Sequence, residues 1–417
     1  MTDPETRAAP PAGPATLRRA APALLGYAAV RALGLLALAV WSAARDKSAY
    51  TLLTARWDSL WYTRVAELGY GYEVRLPNGD VHSNLAFFPL LPWLERLVAA
   101  VTPLSYADAG LAVSLVASLA AAWGIFAVAD LLHGRRAGVC AVLLWAVLPV
   151  GIVQSMAYSE SLFTALAAWS LYAVLTGRWV TAGLLASLAG LTRPVGLAVV
   201  AAVWVAGMVS FGRERNTAPE GSAPADVRAP RLRTDRREGA NRGVEDERGG
   251  ARAAARALGL LLAPLGAAGY VLWVGHHTGR GPLGYLDVQA GWRNGFDGGY
   301  AFTRFVIDKF TSIPSAFAGL ALIIGVVLLI RLYVGGVRAR QPLPLLVYTG
   351  IVLALALCAS SYFGSKPRLL LPAFPLLFPL AQALARARPR RSALVAGGLA
   401  LASAVYGAWW LNGSGPP

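Results

Sequence analysis

Charge is what this sequence has least of. Only 14% of its 417 residues are charged and 56% are apolar, where a soluble domain carries about 25% charged residues. Cysteine is scarce too. Cys140 and Cys358 both lie inside apolar runs, which excludes a disulfide framework and leaves two buried free thiols. No Walker motif, glycine-rich dinucleotide fingerprint or paired-cysteine site occurs, and the four histidines complete no metal-spaced set. These absences set aside ATP-driven transport, nucleotide-cofactor chemistry and structural zinc. Acids are outnumbered 22 to 38 by lysine and arginine, a net charge of +16. Such a balance invites a nucleic-acid partner, but the arginines fall in short clusters between apolar runs. That is the pattern of the positive-inside rule, so no nucleic acid is expected.

What the sequence has is apolar length. Mean hydropathy is +0.51, and membrane spans need about 17–25 residues. Apolar runs, most of them near that length and 180–191 well short of it, read at 21–43, 106–132, 139–157, 160–176, 180–191, 195–211, 257–275, 313–330, 343–362, 369–384 and 392–411. The expected fold is therefore an all-α polytopic membrane protein of about eleven spans. The 21–43 run is read as a retained helix rather than a cleaved signal peptide. The segment 85–101 has two prolines and a charge pair and reads as an interfacial or re-entrant helix.

The region 180–211 reads as one long helix or as two short ones hinged at "TRP" (192–194). One helix would place the stretch 212–256 outside. Two keep it in the cytoplasm, together with Arg18, Arg19, "HGRRAG" (133–138), Arg178, "RLYVGGVRAR" (331–340) and "RARPRR" (386–391). That agreement favours two. The stretch 212–256 holds eleven arginines amid Pro and Gly and reads as a disordered linker. The expected organisation is a disordered cytoplasmic N-terminus (1–20), an N-terminal transmembrane module (21–211), the linker, a C-terminal module (257–411) and a short tail (412–417). Three polar and aromatic stretches, 44–84, 276–312 and 364–368, then share the outer face of the plasma membrane.

The candidate chemistry sits on those stretches. "RWDSLWYTRVAELGYGYE" (56–73) places apolar Trp57, Leu60, Trp61, Val65 and Leu68 at helical spacing, an amphipathic helix with tryptophans at headgroup depth. Asp58 begins it. Spacing alone supports an N-cap and a catalytic carboxylate equally. Location favours function, because a carboxylate beside the bilayer and next to Arg56 suits deprotonation of a hydroxyl on a lipid-linked substrate. Glu73 reads first as a surface charge and secondly as another site carboxylate. His82 reads as a solvated loop histidine or a partner for a sugar hydroxyl, and Trp61 as a substrate contact. Between two spans lie Tyr158 and Glu160, where a carboxylate at the membrane edge needs a partner or caps a helix. Arg193 is a cation in an apolar region, suited to hold Glu160 or a lipid phosphate. Arg368 offers a phosphate-binding fork, and Lys366 a point charge or an interfacial anchor. The loop 276–312 carries His276, His277, Asp287, Trp292, Arg293 and Asp297, a mixture that suits carbohydrate or headgroup contacts.

Together these blocks resemble the PIG-V-type mannosyltransferases of the GT-C superfamily. "RWDSLWYTRVAELGYGYE" with "NLAFFPLLP" resembles that family's first external loop. "YSESLF" (158–163), "TRPVG" (192–196) and "KPRLLLPAFPLL" (366–377) follow in family order. Pro194-Val195 stands where a Ser-Asn pair is more usual, and the Arg-rich linker is not a family feature. The resemblance implies a GT-C bundle with its catalytic acid in the first external loop and a polyprenyl-phosphate mannose donor. By position it makes Asp58 the acid of the RWD block, Glu160 the acid of the Y-S-E-S block and Arg193 the arginine before the small-residue turn.

The function expected is transfer of mannose from the polyprenyl phosphate to a lipid, glycan or protein hydroxyl, among membrane lipids and with inversion. Asp58 would be the base. Arg193 or Arg368, with Arg56 as an outer candidate, would steady the charge on the departing phosphate, and Lys366 is a further phosphate-binding candidate. No cofactor is required, since cationic side chains fill the electrostatic role, and a weakly held divalent ion is compatible with the same reading. The rival reading is a transporter or flippase of a lipid-linked or small polar substrate, for which the hinge at Arg193-Pro194 is the supporting feature.

Overall fold

The computed structural model describes residues 14–217, 235–360 and 362–415. It is a helical bundle. Among the described residues six helices are long and apolar enough to span a bilayer: Leu17–Ala43, Tyr106–His133, Pro194–Gly212, Gly249–Thr278, Ile313–Arg338 and Pro389–Leu411. A seventh crossing is available if Phe363–Leu369 and Phe374–Arg386, bent by 73°, form one broken span. Three shorter apolar helices, Ser159–Leu175, Trp179–Gly190 and Leu343–Cys358, add to them. Eleven full-length spans are thus not what the helices supply.

The shortfall has local causes. The run expected over 139–157 is a helix only from Arg135 to Ala146, followed by a tight turn at Gly151–Ser155. Pro149 lacks an N–H and its ring clashes with the preceding turn, so the helix stops. The carbonyls left over at Ala146 and Gly151 accept from the buried guanidinium of Arg31. That places a cation at a helix C-terminus, where the dipole favours it. At the "TRP" sequence two helices do meet, Trp179–Gly190 and Leu197–Thr217, separated by a short turn at Pro194–Gly196. Of the linker expected to be disordered, 212–217 continue the helix from Leu197, and Asp235–Leu262 is itself helical. Residues 218–234 lie outside the described part, as does most of the expected N-terminal segment 1–20, whose described end belongs to the first helix, Pro14–Ala43.

The 85–101 segment forms the amphipathic helix Leu90–Val101. Leu91 and Glu95 are buried on one side, while Trp93, Leu97 and Val101 repeat at i, i+4, i+8 and are exposed on the other. Such a stripe suits an interfacial helix. In Asp58–Leu68 the apolar stripe read from sequence is displaced: Ser59, Tyr62, Val65 and Ala66 are buried, whereas Leu60 and Leu68 are exposed. Its packing face is set by the neighbours at Leu91 and Leu162, which Tyr62 joins in one cluster.

The three stretches expected on one face do meet. Glu73–Arg75 and Val81–Ser83 form an antiparallel hairpin. Against it lies the short helix Gly284–Gly291, whose following Trp292 donates Nε1–H to the Ser83 carbonyl. Gly295–Phe296 then pairs with Ala359–Ser360, just before the 363–369 turn. The basic clusters gather at the other end: Arg19 pairs with Asp130, Arg135 donates to the Arg19 carbonyl, and Arg136 to that of Ala387. The first helix links the two ends, and its 30 residues make it about 45 Å long at 1.5 Å per residue.

Candidate active site

Asp58 is the first residue of its helix, and Trp57, not Asp58, is the N-cap. Trp57 adopts φ 54°, ψ −124°, a conformation that a bulky residue takes only under constraint. The Asp58 carboxylate is therefore not spent on capping. Instead its Oδ2 lies 2.6 Å from Nη2 of Arg368, and its backbone N–H donates to the Tyr158 hydroxyl (3.3 Å).

Arg368 reaches Asp58 from the short helix Lys366–Leu369. Its Nε lies 3.5 Å from Oε1 of Glu160, and its guanidinium sits over the Tyr158 ring, 5.0 Å from the centroid. Glu160, in the first turn of Ser159–Leu175, pairs in turn with Arg193. Arg193 precedes Pro194 and is extended, with φ −160°, as the residue before a proline must be. That carries its side chain off the helical path and onto Glu160. Two carboxylates and two guanidiniums thus form one chain: Asp58, Arg368, Glu160, Arg193.

Neutral groups lock the chain in place. Arg193 Nη1 donates to Ser159 Oγ (3.2 Å), which also bonds Tyr62 Oη (2.7 Å). Ser114 Oγ donates to the Tyr158 carbonyl (3.0 Å). Burial is graded along the chain. The Glu160 side chain is 2% exposed, Arg368 10%, Arg193 13% and Asp58 23%. Asp58 is the member presented outward.

The other expected site residues divide. Lys366 is buried and donates Nζ–H bonds to the carbonyls of Ala356 and Ala359, at the end of Leu343–Cys358. It closes that helix rather than facing Asp58. Arg56 stacks over Trp57 at 4.0 Å and donates to the Gly413 carbonyl (3.3 Å). Glu73 is exposed on the hairpin. Trp61 and His82 belong to an aromatic group. Trp61 stacks on Phe87 at 5.6 Å and meets Trp292 edge-on at 4.9 Å, while His82 lies flat on Trp292 at 4.0 Å. Desolvation lowers the His82 pKa, against a smaller pull from Asp80. Two participants escaped the sequence reading. Tyr62 follows Asp58 by one helical turn, a spacing that could have revealed it. Ser114 gave no signal. Among the described residues no group of three or more His, Cys, Asp or Glu is disposed to hold a metal ion.

Comparison with known proteins agrees with the resemblance read from the motifs. Residues 31–212 match the family model described as "Mannosyltransferase (PIG-V)". That range contains Asp58, Glu160 and Arg193, though not Arg368. "GPI alpha-1,6-mannosyltransferase 2" of Rattus norvegicus is 34% identical over 156 residues, which is 35% of this chain and 30% of that protein. The match spans under a third of that relative's length. The solved structure "ArnT from Cupriavidus metallidurans bound to Undecaprenyl phosphate" superposes with a TM-score of 0.50 at 14% identity, covering 88% of this chain and 62% of that one. The likeness is one of fold, a polytopic helical bundle like the one expected, without the full count of eleven spans.

Proposed function

We propose that this chain is a membrane mannosyltransferase that moves a mannosyl residue from a polyprenyl-phosphate donor to an acceptor hydroxyl. The observation that carries the reading is the buried chain of charges that ends in the outward-facing Asp58. The family match over residues 31–212 supports the sugar. The bundle shared with a polyprenyl-phosphate-binding protein supports the donor class.

In this reading Asp58 accepts the proton of the acceptor hydroxyl as its oxygen attacks the anomeric carbon. The new C–O bond forms on the face opposite the departing phosphate, so the anomeric centre inverts. The old C1–O bond breaks, and its electron pair leaves with the phosphate oxygen. Charge grows on that oxygen, and in this reading the guanidinium of Arg368 offsets it, with Arg193 balancing Glu160 behind it. A preorganised donor of this kind is worth about 3–4 kcal/mol. The aromatic group around Trp61 and Trp292 offers flat apolar faces beside the same helix, with His82 stacked on Trp292. By the positive-inside pattern, the end bearing Asp58 is extracytoplasmic in the plasma membrane.

The test is transfer of labelled mannose from polyprenyl-phosphate mannose in membranes. Asp58→Asn keeps the shape and removes the charge. It is expected to lower transfer by at least about 100-fold at unchanged protein abundance, the usual effect of losing a general base. Normal transfer by that variant would remove Asp58 from the mechanism. Substrate movement across the membrane without a new covalent product would favour the transporter reading.

A further inference from the structure

We propose that the Asp58–Arg368 ion pair is a latch that the donor's phosphate opens, so that the base is released only when the donor is bound. The inference rests on the reading of Asp58 as base and goes beyond it by giving binding an order.

Asp58 in this structure is engaged. One carboxylate oxygen is held at 2.6 Å by Arg368 Nη2. A base in that state has lost a lone pair to a guanidinium, and an incoming hydroxyl must compete for what remains. Arg368, in contrast, is under-used. Its side chain is nine-tenths buried, yet Nη1 makes no hydrogen bond among the described residues and Nε faces Glu160 only at 3.5 Å. A buried guanidinium with an idle donor is costly to maintain. It is well suited to a second acceptor with several oxygens, and a phosphate ester matches that fork.

Arg368 is also placed to change partners without leaving. Its Nε stays near Glu160, and its plane rests on the Tyr158 ring. Glu160 is itself fixed by Arg193, which Ser159 holds. The guanidinium therefore has a fixed side, toward Glu160, and an exchangeable side, toward Asp58. When a phosphate brings new negative charge, the carboxylate displaced is the one that water can solvate. Asp58 is 23% exposed, whereas Glu160 is 2% exposed. Donor first, acceptor second, is the sequence that follows.

The experiment uses the full chain in lipid nanodiscs, with undecaprenyl phosphate as the probe. Asp58→Asn removes Arg368's competitor, so it is expected to bind undecaprenyl phosphate at least about fivefold tighter than wild type. Equal or weaker binding by that variant overturns the latch. A second readout needs no substitution. Carbodiimide labelling of Asp58, read by peptide mass spectrometry, is expected to speed up when undecaprenyl phosphate is added and to stay unchanged with undecaprenol. An unchanged rate with the phosphate, or an equal rise with the alcohol, overturns the latch as well. Neither measurement needs turnover, so the latch and the base can fail separately. Sugar transfer by Asp58→Asn removes the base and leaves these binding results standing.

Discussion

Glu160 is the residue on which the other charges turn. It is nearly inaccessible, and Arg193 and Arg368 both converge on it. Removing one partner of a buried pair leaves the other charge uncompensated, at a cost of about 3–5 kcal/mol. Glu160→Gln is expected to lower the thermal midpoint of the purified protein markedly. Adding Arg193→Gln to it should recover part of the loss, because the pair then disappears together, and a double-mutant cycle on melting temperature measures that coupling. Strict additivity would show that the two side chains do not depend on each other. His82 supplies a pH-dependent counterpart. Its folded pKa lies below the unfolded value of about 6.5. The unfolded chain therefore takes up the proton first as pH falls. The contribution of the stacked neutral ring is complete above about pH 6.5 and is lost as pH falls through the folded pKa. His82→Phe should flatten the change in melting temperature between about pH 7 and pH 5, and a wild-type slope in that variant would place the effect elsewhere.

Elements in this bundle come close because glycine lets them. The helix Trp179–Gly190 crosses the helices Asp235–Leu262 and Leu265–Thr278. A Cβ at Gly183 would lie 2.2 Å from the Gly259 carbonyl oxygen, and one at Gly266 only 1.9 Å from that of Ser187. Small residues allow such backbone approach between membrane helices, and a carbonyl cannot swing aside as a side chain can. Gly266→Ala is expected to cost about 1–3 kcal/mol and to reduce the monodisperse fraction on size exclusion in detergent. Gly269→Ala, with nothing within 4 Å of its Cβ, should behave as wild type. Equal behaviour of the two variants would show that the crossing tolerates separation. These crossings also mark the limit of what the sequence made legible. The hinge at 192–194 could be read because proline restricts its neighbour. The early stop at Ala146 carried the same kind of signal in Pro149, but apolar residues continue on both sides of it, so a span read from hydropathy runs straight through the break. Asp58, Glu160 and Arg193 stood out as charges in apolar surroundings. That Arg368 would pair with Asp58, from the far end of the chain, depends on tertiary packing that no local pattern records. Nor could local pattern show that Lys366, two residues away, would be spent on carbonyls.

For the molecule as a whole, charge is sorted by end. The Arg19, Arg135 and Arg136 contacts lie at one end, and the Asp58 chain with the hairpin at the other. The positive-inside rule then predicts which end meets the cytoplasm. A cysteine placed at exposed Asn78, on the hairpin turn, should react with a membrane-impermeant maleimide in intact cells. One placed at exposed Arg340 should react only after permeabilisation. The reverse pattern would turn the bundle over and put the site on the cytoplasmic side.

The chain of two carboxylates and two guanidiniums has one further consequence. Its formal charges sum to zero. A net charge moved through a membrane potential gains or loses about 2.3 kcal/mol per 100 mV, and this cluster offers none to move. Its assembly should therefore neither draw on the voltage of an energised cell nor be strained by it. De-energised vesicles ought to hold the resting site as firmly as living membranes do.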